Sequence, residues 1–394
     1  MSWPLSSLEH IRMEFVLIAR EPFVSISESC RQFGISRKTG YKWLKRYGSE
    51  GLSGLYDRSR RPHTMPLAVS ADVVIALVRL RQAHPYWGPK KLKALLLKEG
   101  IRVDQLPSVA TIGRILNRSG LSKSKGRGRP KFHKPARQIV DADAPNAVWT
   151  VDFKGWWRCG DGNRCEPLTI RDLFSRYLFC LRPMETRKTE AVKEVFEEVF
   201  RRYGLPKVIR SDNGGPFASM TGPHGLTRLS AWWRSLGIEL DRIDPGHPEQ
   251  NGGHERMHGD MAREIEGSPS GTVLEEEKRL EYWRIEYNVR RPHEALDMKT
   301  PGECYRLSRQ RMENVQPYIY PGNYEQRRVR RDGYISLSGR SVFVSESLGR
   351  RRVGLERLAE NIWKVCFCDL ELGVIDFGLA TALRPTASVP SPNQ

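Results

Sequence analysis

Acidic residues in three separate parts of the chain have the type and setting that metal-dependent chemistry requires. Asp152 lies in the apolar-rich segment WTVDFK, and Asp212 ends the segment KVIRSD. Residues 244–260, DPGHPEQNGGHERMHGD, add Glu249 and Glu255 among glycines and histidines. Carboxylates that converge in space can hold two divalent cations about 3.5–4 Å apart, which activate a nucleophile and stabilise a leaving oxygen. The pattern therefore predicts phosphoryl transfer at a site built from residues distant in sequence.

The elements around these acids predict that two of them meet at one edge of a β-sheet. From residue 145 the chain indicates three antiparallel strands with a hairpin signal, GDGNR. The amphipathic helix TRKTEAVKEVFEEVFRRYG follows, and then a strand that ends at Asp212. A helix crossover to a parallel strand gives a mixed sheet with helices packed on it, ribonuclease-H-like in outline. If the strands of Asp152 and Asp212 pair, both carboxylates lie on the same rim.

The segment after the two glycines predicts a helix that carries the third acid. HERMHGDMAREIEG begins just beyond Gly252 and Gly253, which would let the backbone pass close to metal or DNA. Glu255 would lie in the opening turn, aimed back at the two aspartates. Asp260 lies about 140° further around such a helix, so it and Glu255 would not easily face the same cations.

The first third of the chain predicts two helix-turn-helix modules followed by a basic arm. In SISESCRQFGISRKTGYKWLKRY, Gly34 ends one helix and Ser36 caps the next. A small helical bundle with a solvated basic face is the alternative. A second module closes with PSVATIGRILNRSG, and the Gly-, Pro- and Lys/Arg-rich segment that follows is either an arm along the DNA backbone or a solvated linker. The residues expected to contact DNA are Arg37, Lys38, Thr39, Tyr41 and Lys42 in the first module, Thr111 and Arg114 in the second, and Lys125, Arg127, Arg129 and Lys131 in the arm.

The distribution of charge favours a polyanionic partner. The net charge is +19 and the sequence pI is about 9.8. Residues 1–140 contain 27 Lys and Arg against 9 Asp and Glu, whereas residues 141–305 contain 24 against 28. A basic region beside a slightly acidic one suits a protein that holds phosphates in one part and divalent cations in another. Seven scattered cysteines and the lack of a signal peptide or of about 18 consecutive apolar residues predict a soluble cytoplasmic protein.

These segments predict a multidomain chain, with N-terminal all-α helix-turn-helix modules, a central α/β ribonuclease-H-like core and a C-terminal small β-barrel. The barrel is expected because turn signals such as Asp332-Gly333 separate alternating strands. The expected segments are residues 1–62 and 68–121 for the two modules, 122–140 for the basic linker, 141–305 for the core and 320–384 for the barrel.

Four motifs in the central region resemble a known family. WTVDF, RSDNGGPF, HPEQNGGHERMH and YNVRRPHEAL are similar to the integrase catalytic core of the retroviral-integrase superfamily, specifically that of bacterial insertion-sequence transposases with an Asp-Asp-Glu triad. The resemblance implies a metal site with two Mg²⁺ ions, with Mn²⁺ as a possible substitute. It also implies cutting and joining of DNA, at the terminal inverted repeats and in target DNA, by a homo-oligomer of two or more chains. Such a protein acts in the bacterial cytoplasm at the nucleoid, with no membrane partner.

The resemblance also bears on which glutamate joins Asp152 and Asp212. Spacing alone favours Glu249, since 36 residues separate it from Asp212 and the retroviral relatives have about 35. The family fingerprint Pro-x-x-x-Gly-x-x-Glu fits Glu255 instead. We therefore expect Asp152, Asp212 and Glu255 to be both catalytic residues and metal ligands. His258, one turn after Glu255, is expected to contact a DNA phosphate or a neighbouring carboxylate.

The sequence thus predicts a DNA transposase that nicks DNA and transfers the 3′ ends by transesterification, a polynucleotidyl transferase. Two alternatives remain. One is a non-catalytic DNA-binding regulator derived from a transposase, which would use the helix-turn-helix modules alone. The other is a ribonuclease acting on RNA–DNA hybrids, which would share the core but has no need of tandem DNA-reading modules.

Overall fold

The computed structural model describes residues 7–58, 69–122, 141–219, 222–244, 247–379 and 383–385. The chain divides into two compact units, Met1–Ala68 and Val69–Gln394. The basic linker and its four expected DNA contacts, Lys125, Arg127, Arg129 and Lys131, lie outside the described residues. Within the described residues, no helix is both long and apolar enough to cross a membrane.

The first unit is a three-helix module around a small apolar core. Its helices are α1 (Leu8–Ala19), α2 (Ile26–Gln32) and α3 (Arg37–Glu50). The side chain of Ser36 accepts a hydrogen bond from the N–H of Thr39 and so caps α3. Gly40 packs so closely that a Cβ there would lie 2.4 Å from the Sγ of Cys30. The helix-turn-helix prediction for this segment is confirmed.

The second unit begins with three more helices, α4 (Ala71–Ala83), α5 (Pro89–Lys98) and α6 (Val109–Arg118). The side chain of Ser108 caps α6, as the sequence predicts. Ion pairs join these helices to the region that follows: Lys98 to Glu303 at 2.7 Å, and Lys90 to Glu294. The second helical module therefore packs directly against the core in one compact unit.

A mixed five-stranded sheet forms the centre of the second unit, in the order β5-β4-β1-β6-β7. Strands β1, β4 and β5 are antiparallel neighbours, whereas β1, β6 and β7 run parallel. The small hairpin β2–β3 stands apart from this sheet. The strands are β1 (Val148–Phe153), β2 (Trp157–Arg158), β3 (Arg164–Cys165), β4 (Pro167–Asp172), β5 (Leu178–Pro183), β6 (Val208–Ser211) and β7 (Glu239–Arg242).

Helices cover both faces of the sheet. On one face, α7 and α8 bury aromatic residues such as Phe196 and Trp233 against Trp149 of β1. On the other face, α9 and α10 pack through Met257, Met261 and Leu280. These helices are α7 (Thr189–Tyr203), α8 (Arg228–Ser235), α9 (Gly252–Met261), α10 (Val273–Val289) and the short α11 (Pro301–Cys304). The ribonuclease-H-like core is thereby confirmed.

The C-terminal region consists of strands, but not of the closed small β-barrel that the sequence predicts. Among the described residues the strands form an open five-stranded sheet, β14-β13-β12-β11-β8, and a separate hairpin, β9–β10. The hairpin packs by side chains such as Ile335 and Val342, which share a core with Val353 and Val365, instead of closing the sheet by hydrogen bonds. The strands are β8 (Tyr324–Arg328), β9 (Tyr334–Leu337), β10 (Arg340–Phe343), β11 (Arg352–Ala359), β12 (Ile362–Phe367), β13 (Leu370–Asp376) and β14 (Leu383–Pro385).

Candidate active site

The two candidate aspartates lie beside each other at one edge of the central sheet. In the parallel pair β1–β6, Thr150 is in register with Arg210. Asp152 and Asp212 are each two residues further along, so the same register places them side by side. Asp152 is the penultimate residue of β1, just before Phe153, and Asp212 follows the last residue of β6. The side chain of Asp212 accepts a hydrogen bond from the N–H of Gly214, which orients it at the start of the loop.

Helix α9 carries Glu255 in its first turn. The helix buries His254, Met257, His258 and Met261, which recur at helical spacing, and leaves Glu255 exposed beside them. The helix therefore lies against the sheet with Glu255 at the border between the core and solvent.

The glycine before His254 allows the close approach of α9 to the sheet. A Cβ at Gly253 would lie 2.8 Å from the guanidinium of Arg171, which is fully buried in β4. The guanidinium also donates a hydrogen bond to the carbonyl of Gly253. Gly253 therefore has a packing role against an arginine, and its expected role in close passage to metal or DNA stays a prediction.

A buried cluster of two threonines and two histidines, the threonine–histidine cluster, ties α9 to the sheet beneath Asp152. The hydroxyl of Thr169 donates to the carbonyl oxygen of Asp152 at 2.8 Å. The same hydroxyl lies 2.6 Å from Nε2 of His254 and 3.0 Å from Nε2 of His258. Nδ1 of His254 lies 2.9 Å from the hydroxyl of Thr150. Four side chains from β1, β4 and α9 thus share one hydrogen-bond network.

The network fixes the tautomers of both histidines. A hydroxyl has one proton to donate, and Thr169 gives it to a carbonyl oxygen, which can only accept. Both Nε2 atoms must therefore carry the hydrogen and donate to Thr169, since the hydroxyl retains acceptor capacity. Burial supports neutral rings: it lowers the pKa of His254 well below the usual value and that of His258 to about 3. The unprotonated Nδ1 of His258 then faces Oδ2 of Asp152 at 3.8 Å.

The electrostatics around Asp152 show that the three predicted acids influence one another. Burial, together with the negative charges of Asp212 and Glu255, raises the pKa of Asp152 to about 7. The N–H of Phe153 and the guanidinium of Arg187 oppose the shift. A desolvated carboxyl surrounded by two others is destabilised as an anion, and an added cation would relieve that cost.

The site suits a divalent metal because its candidate ligand atoms are carboxylate oxygens. Carboxylate oxygens are the ligands that Mg²⁺ prefers, and here they come from two neighbouring strand ends and the first turn of a helix. Within the described residues, no group of three or more His, Cys, Asp or Glu side chains is already arranged to hold a metal ion. The three acids therefore interact through their charges without being drawn together to metal-ligand distance.

The remaining predicted site residues fall into three groups. On α3, Arg37, Lys38, Tyr41 and Lys42 are exposed and Thr39 is partly covered; on α6, Arg114 is exposed and Thr111 is partly covered. His258, expected to contact DNA phosphate or a carboxylate, is buried and faces Asp152. Glu249 lies in the short helical turn Pro248–Asn251, and its side chain is outside the described part of the structure.

Sequence reasoning missed three residues that shape the site. Thr169 sits in an apolar strand, where a threonine is typical for its strand preference alone. Arg171 is fully buried, which its charge does not suggest. Arg187 donates a hydrogen bond to Glu166 and lies over the ring of Phe153. Its positive charge interacts with the negative charges of Asp152 and Asp212. The one available signal for Thr169 was its position between the apolar residues Leu168 and Ile170.

Comparison with known proteins identifies the domains. Residues 142–248 and 236–301 each match an integrase core domain, and residues 9–56 and 39–116 match homeodomain-like domains. Residues 142–301 are therefore similar to an integrase core domain and residues 9–116 to homeodomain-like domains, in agreement with the resemblance carried by the motifs.

Similar proteins come from insertion elements. The chain is 28% identical over 228 residues to "Insertion element IS407 uncharacterized 31.7 kDa protein" of Burkholderia multivorans, covering 58% of this chain and 78% of that protein. It is 26% identical over 277 residues to "Insertion element IS476 uncharacterized 39.2 kDa protein" of Xanthomonas euvesicatoria, covering 70% and 76%. Among solved structures, the HTLV-2 integrase catalytic core domain in complex with magnesium aligns with 42% of this chain and 100% of its own, at 14% identity and a TM-score of 0.31.

Proposed function

We propose that the chain is a DNA transposase, which binds the terminal inverted repeats of a mobile element, nicks DNA and joins the 3′ ends to target DNA. The observation that carries the proposal is that Asp152 and Asp212 lie at adjacent strand ends in a region that matches an integrase core domain, with Glu255 near enough to help raise the pKa of Asp152. Three acids that repel one another in a partly desolvated site are typical of a place built for cations.

Asp152, Asp212 and Glu255 are the residues that would hold the metal, two Mg²⁺ ions with Mn²⁺ as a substitute. Bound there, divalent cations supply positive charge to the attacking and leaving oxygens of a phosphoryl transfer. The protein's own part is positioning. The paired strands fix the two aspartates, and the threonine–histidine cluster fixes the helix that presents Glu255. Arg187 adds a fixed positive charge beside both aspartates.

The proposed reaction consists of two phosphoryl transfers at the same acids. In the first, a water oxygen attacks a DNA phosphorus, the bond to the 3′ oxygen breaks, and that oxygen leaves as a hydroxyl. In the second, the freed 3′ hydroxyl attacks a phosphorus of the target and displaces the target's own 3′ oxygen. Each step forms one P–O bond and breaks one, so neither needs a covalent protein–DNA intermediate.

DNA recognition is assigned to the helical modules. Helices α3 and α6 are each capped by a serine at the N-terminus and present exposed basic residues, the arrangement of recognition helices that enter a major groove. The element has two ends, so a homo-oligomer of two or more chains would hold them together. The excess of basic residues in the first 140 positions supports binding to the phosphate backbone.

A plasmid assay tests the proposal. A supercoiled plasmid carrying the DNA that flanks the gene is incubated with the protein, with and without Mg²⁺, and nicked and joined products are separated on a gel. Asp152→Asn, Asp212→Asn and Glu255→Gln should each abolish both products and leave binding of the repeat DNA intact. Asp297→Asn, which removes an exposed carboxylate in the same domain, is the matched control and should retain activity.

Other outcomes have distinct meanings. A wild-type protein that binds the repeats but never nicks them in Mg²⁺ or Mn²⁺ would be the regulator of the alternative hypothesis. Loss of activity in Glu249→Gln, with activity kept in Glu255→Gln, would transfer the third acid to Glu249. Retained joining in either aspartate variant would remove that residue from the site.

A further inference from the structure

The β2–β3 hairpin, which follows Asp152 by a few residues, has an outer face of unusual composition. Its inner face is apolar, because Trp157 and Cys165 form a buried cross-strand pair. On its outer face Arg158 is paired directly opposite Arg164, and like charges in that position are destabilising unless something else compensates them. Trp156 precedes the hairpin and keeps 49% of its surface exposed. A half-exposed tryptophan beside two arginines that face each other across the hairpin is costly in an isolated protein and therefore points to a ligand.

The two arginines gather around the tryptophan. The guanidinium carbon of Arg164 lies 4.7 Å from the centre of the Trp156 ring, and that of Arg158 lies 5.6 Å from it. Arg158 donates a hydrogen bond to the carbonyl of Gly162 at 2.8 Å and forms no ion pair with any described residue. The hairpin thus presents a half-exposed aromatic ring with two guanidinium groups over it, and an aromatic ring combined with cations is what binds a base and its flanking phosphates.

A chain of contacts connects this surface with the candidate active site. Glu166 is buried and accepts hydrogen bonds from Arg164, at 3.0 Å, and from Arg187. Arg187 in turn lies over the ring of Phe153, the residue next to Asp152. Arg164 and Arg187 share one carboxylate along this path, and Arg158 forms no ion pair with a described residue, so the surface beside the acids retains excess positive charge. DNA that reaches the acids therefore passes a basic surface that ends at Trp156.

The hairpin is held rigidly in place. The N–H groups of Gly160 and Asp161 donate to the carbonyls of Ser270 and Gly271, at 2.9 and 2.7 Å. The indole N–H of Trp157 donates to the buried carboxylate of Glu276 on α10 at 2.9 Å. A surface that is fixed before the ligand arrives loses little conformational entropy on binding.

From this arrangement we infer that the β2–β3 hairpin binds an unpaired DNA strand next to the phosphate that reacts. Trp156 stacks on one base, and Arg158 and Arg164 contact the phosphates beside it. The inference rests on the proposed function for the choice of DNA. An unpaired strand is required because the face of a base becomes free to stack on an indole ring only after the base has left the duplex stack. Strand separation at the cut would supply such a base.

Photocrosslinking of the full-length protein tests the inference. A single-stranded oligonucleotide containing 5-iododeoxyuridine is bound in EDTA, irradiated, and the crosslinked residue is mapped by mass spectrometry. We expect the crosslink at Trp156. Trp156→Ala should weaken binding of the single strand roughly 5- to 100-fold, the range that stacking of one base supplies, while Trp156→Phe recovers most of it. Tyr282→Ala, which removes another exposed aromatic ring of the same domain, is the control and should not weaken it.

The salt dependence separates phosphate contacts from a structural effect. Arg158→Met and Arg164→Met should each reduce the slope of log affinity against log salt by roughly 0.7, the value for one phosphate of a single strand. Arg201→Met, on the exposed side of α7, is the matched control and should leave the slope unchanged. Unchanged slopes and affinities in the hairpin variants, or a crosslink elsewhere, would overturn the inference. So would a change in self-association in Trp156→Ala without a change in DNA affinity, which would mark a protein interface.

Failure of the inference and failure of the proposed function give different results. If the wild-type protein nicks and joins DNA but Trp156→Ala binds single strands normally, the inference is wrong and the transposase proposal stands. If the wild-type protein never nicks DNA yet crosslinks at Trp156, the hairpin binds DNA and the catalytic proposal fails.

Discussion

Replacing Thr169 by valine tests the threonine–histidine cluster directly. Valine has nearly the same shape, so the change removes the hydroxyl without opening a cavity. Three buried groups then lose their partner: the carbonyl of Asp152 and the Nε2–H groups of His254 and His258. At about 1 kcal/mol for each, the low end of the cost of a buried unsatisfied group, the free energy of unfolding should fall by about 3 kcal/mol. Because α9 loses two of its hydrogen bonds to the sheet, DNA nicking should also fall at temperatures where the variant is folded.

Urea unfolding of the wild-type protein and of two variants gives the measurement. Thr150→Val is the matched control, because the hydroxyl of Thr150, equally buried, contacts a single nitrogen, Nδ1 of His254. It should cost about 1 kcal/mol, which leaves a difference of about 2 kcal/mol between the two variants. Equal costs for the two threonines, or a cost below about 1 kcal/mol for Thr169→Val, would refute the assignment of three hydrogen bonds to one hydroxyl. Histidine ¹⁵N spectra that show Nδ1–H tautomers would refute it independently.

Three further predictions concern other contacts of the second unit. Burial lowers the pKa of His293 to about 2. Between that value and about 6.5 the unfolded chain binds a proton that the folded chain does not, so stability falls on acidification. His293→Gln should flatten this fall by up to about 1.4 kcal/mol per pH unit, measured by urea titrations from pH 7 to 5. Arg291→Met removes the cation paired with the largely buried Glu264 and one of the two cations paired with Asp260, so the free energy of unfolding should fall by about 3–5 kcal/mol. A loss below about 1 kcal/mol in the same titration would contradict the pairing. Lys98→Met removes an ion pair with Glu303 in which both side chains are more than a third exposed, so thermal unfolding should show a change of less than about 1 kcal/mol.

The sequence was sufficient for the order of elements and for the location of two of the acids. Alternating apolar residues followed by an amphipathic helix predict the crossover from antiparallel to parallel strands, and the structure has it between β5 and β6. Once β1 and β6 are neighbours, the placement of Asp152 beside Asp212 follows from their positions at the strand ends. The glutamate was harder, since spacing alone favours Glu249 and the choice of Glu255 rests on the family pattern.

What the sequence could not predict depends on side chains that meet across elements. A threonine hydroxyl with three partners requires His254 and His258 to come from a helix about 85 residues away from Thr169, and no local pattern encodes that meeting. The C-terminal strands were predicted, but their closure into a barrel was not confirmed, because turn signals do not say whether a hairpin extends a sheet or packs against its face. Trp156 and Trp157 are adjacent and identical in type, yet Trp156, just before β2, is exposed and Trp157, the first residue of β2, is buried.

The attachment of the second helical module to the core bears on where DNA would be cut. Helix α6 and Asp152 belong to one compact unit, and the ion pair of Lys98 with Glu303 is part of what joins them. If α6 binds the repeat as proposed, the fold sets a fixed number of base pairs between the sequence that α6 recognises and the bond that is cut. Insertion of one or two base pairs into that interval should then abolish cutting at the element's end, because the reactive phosphate would turn away from the acids by about a tenth of a helical turn per pair.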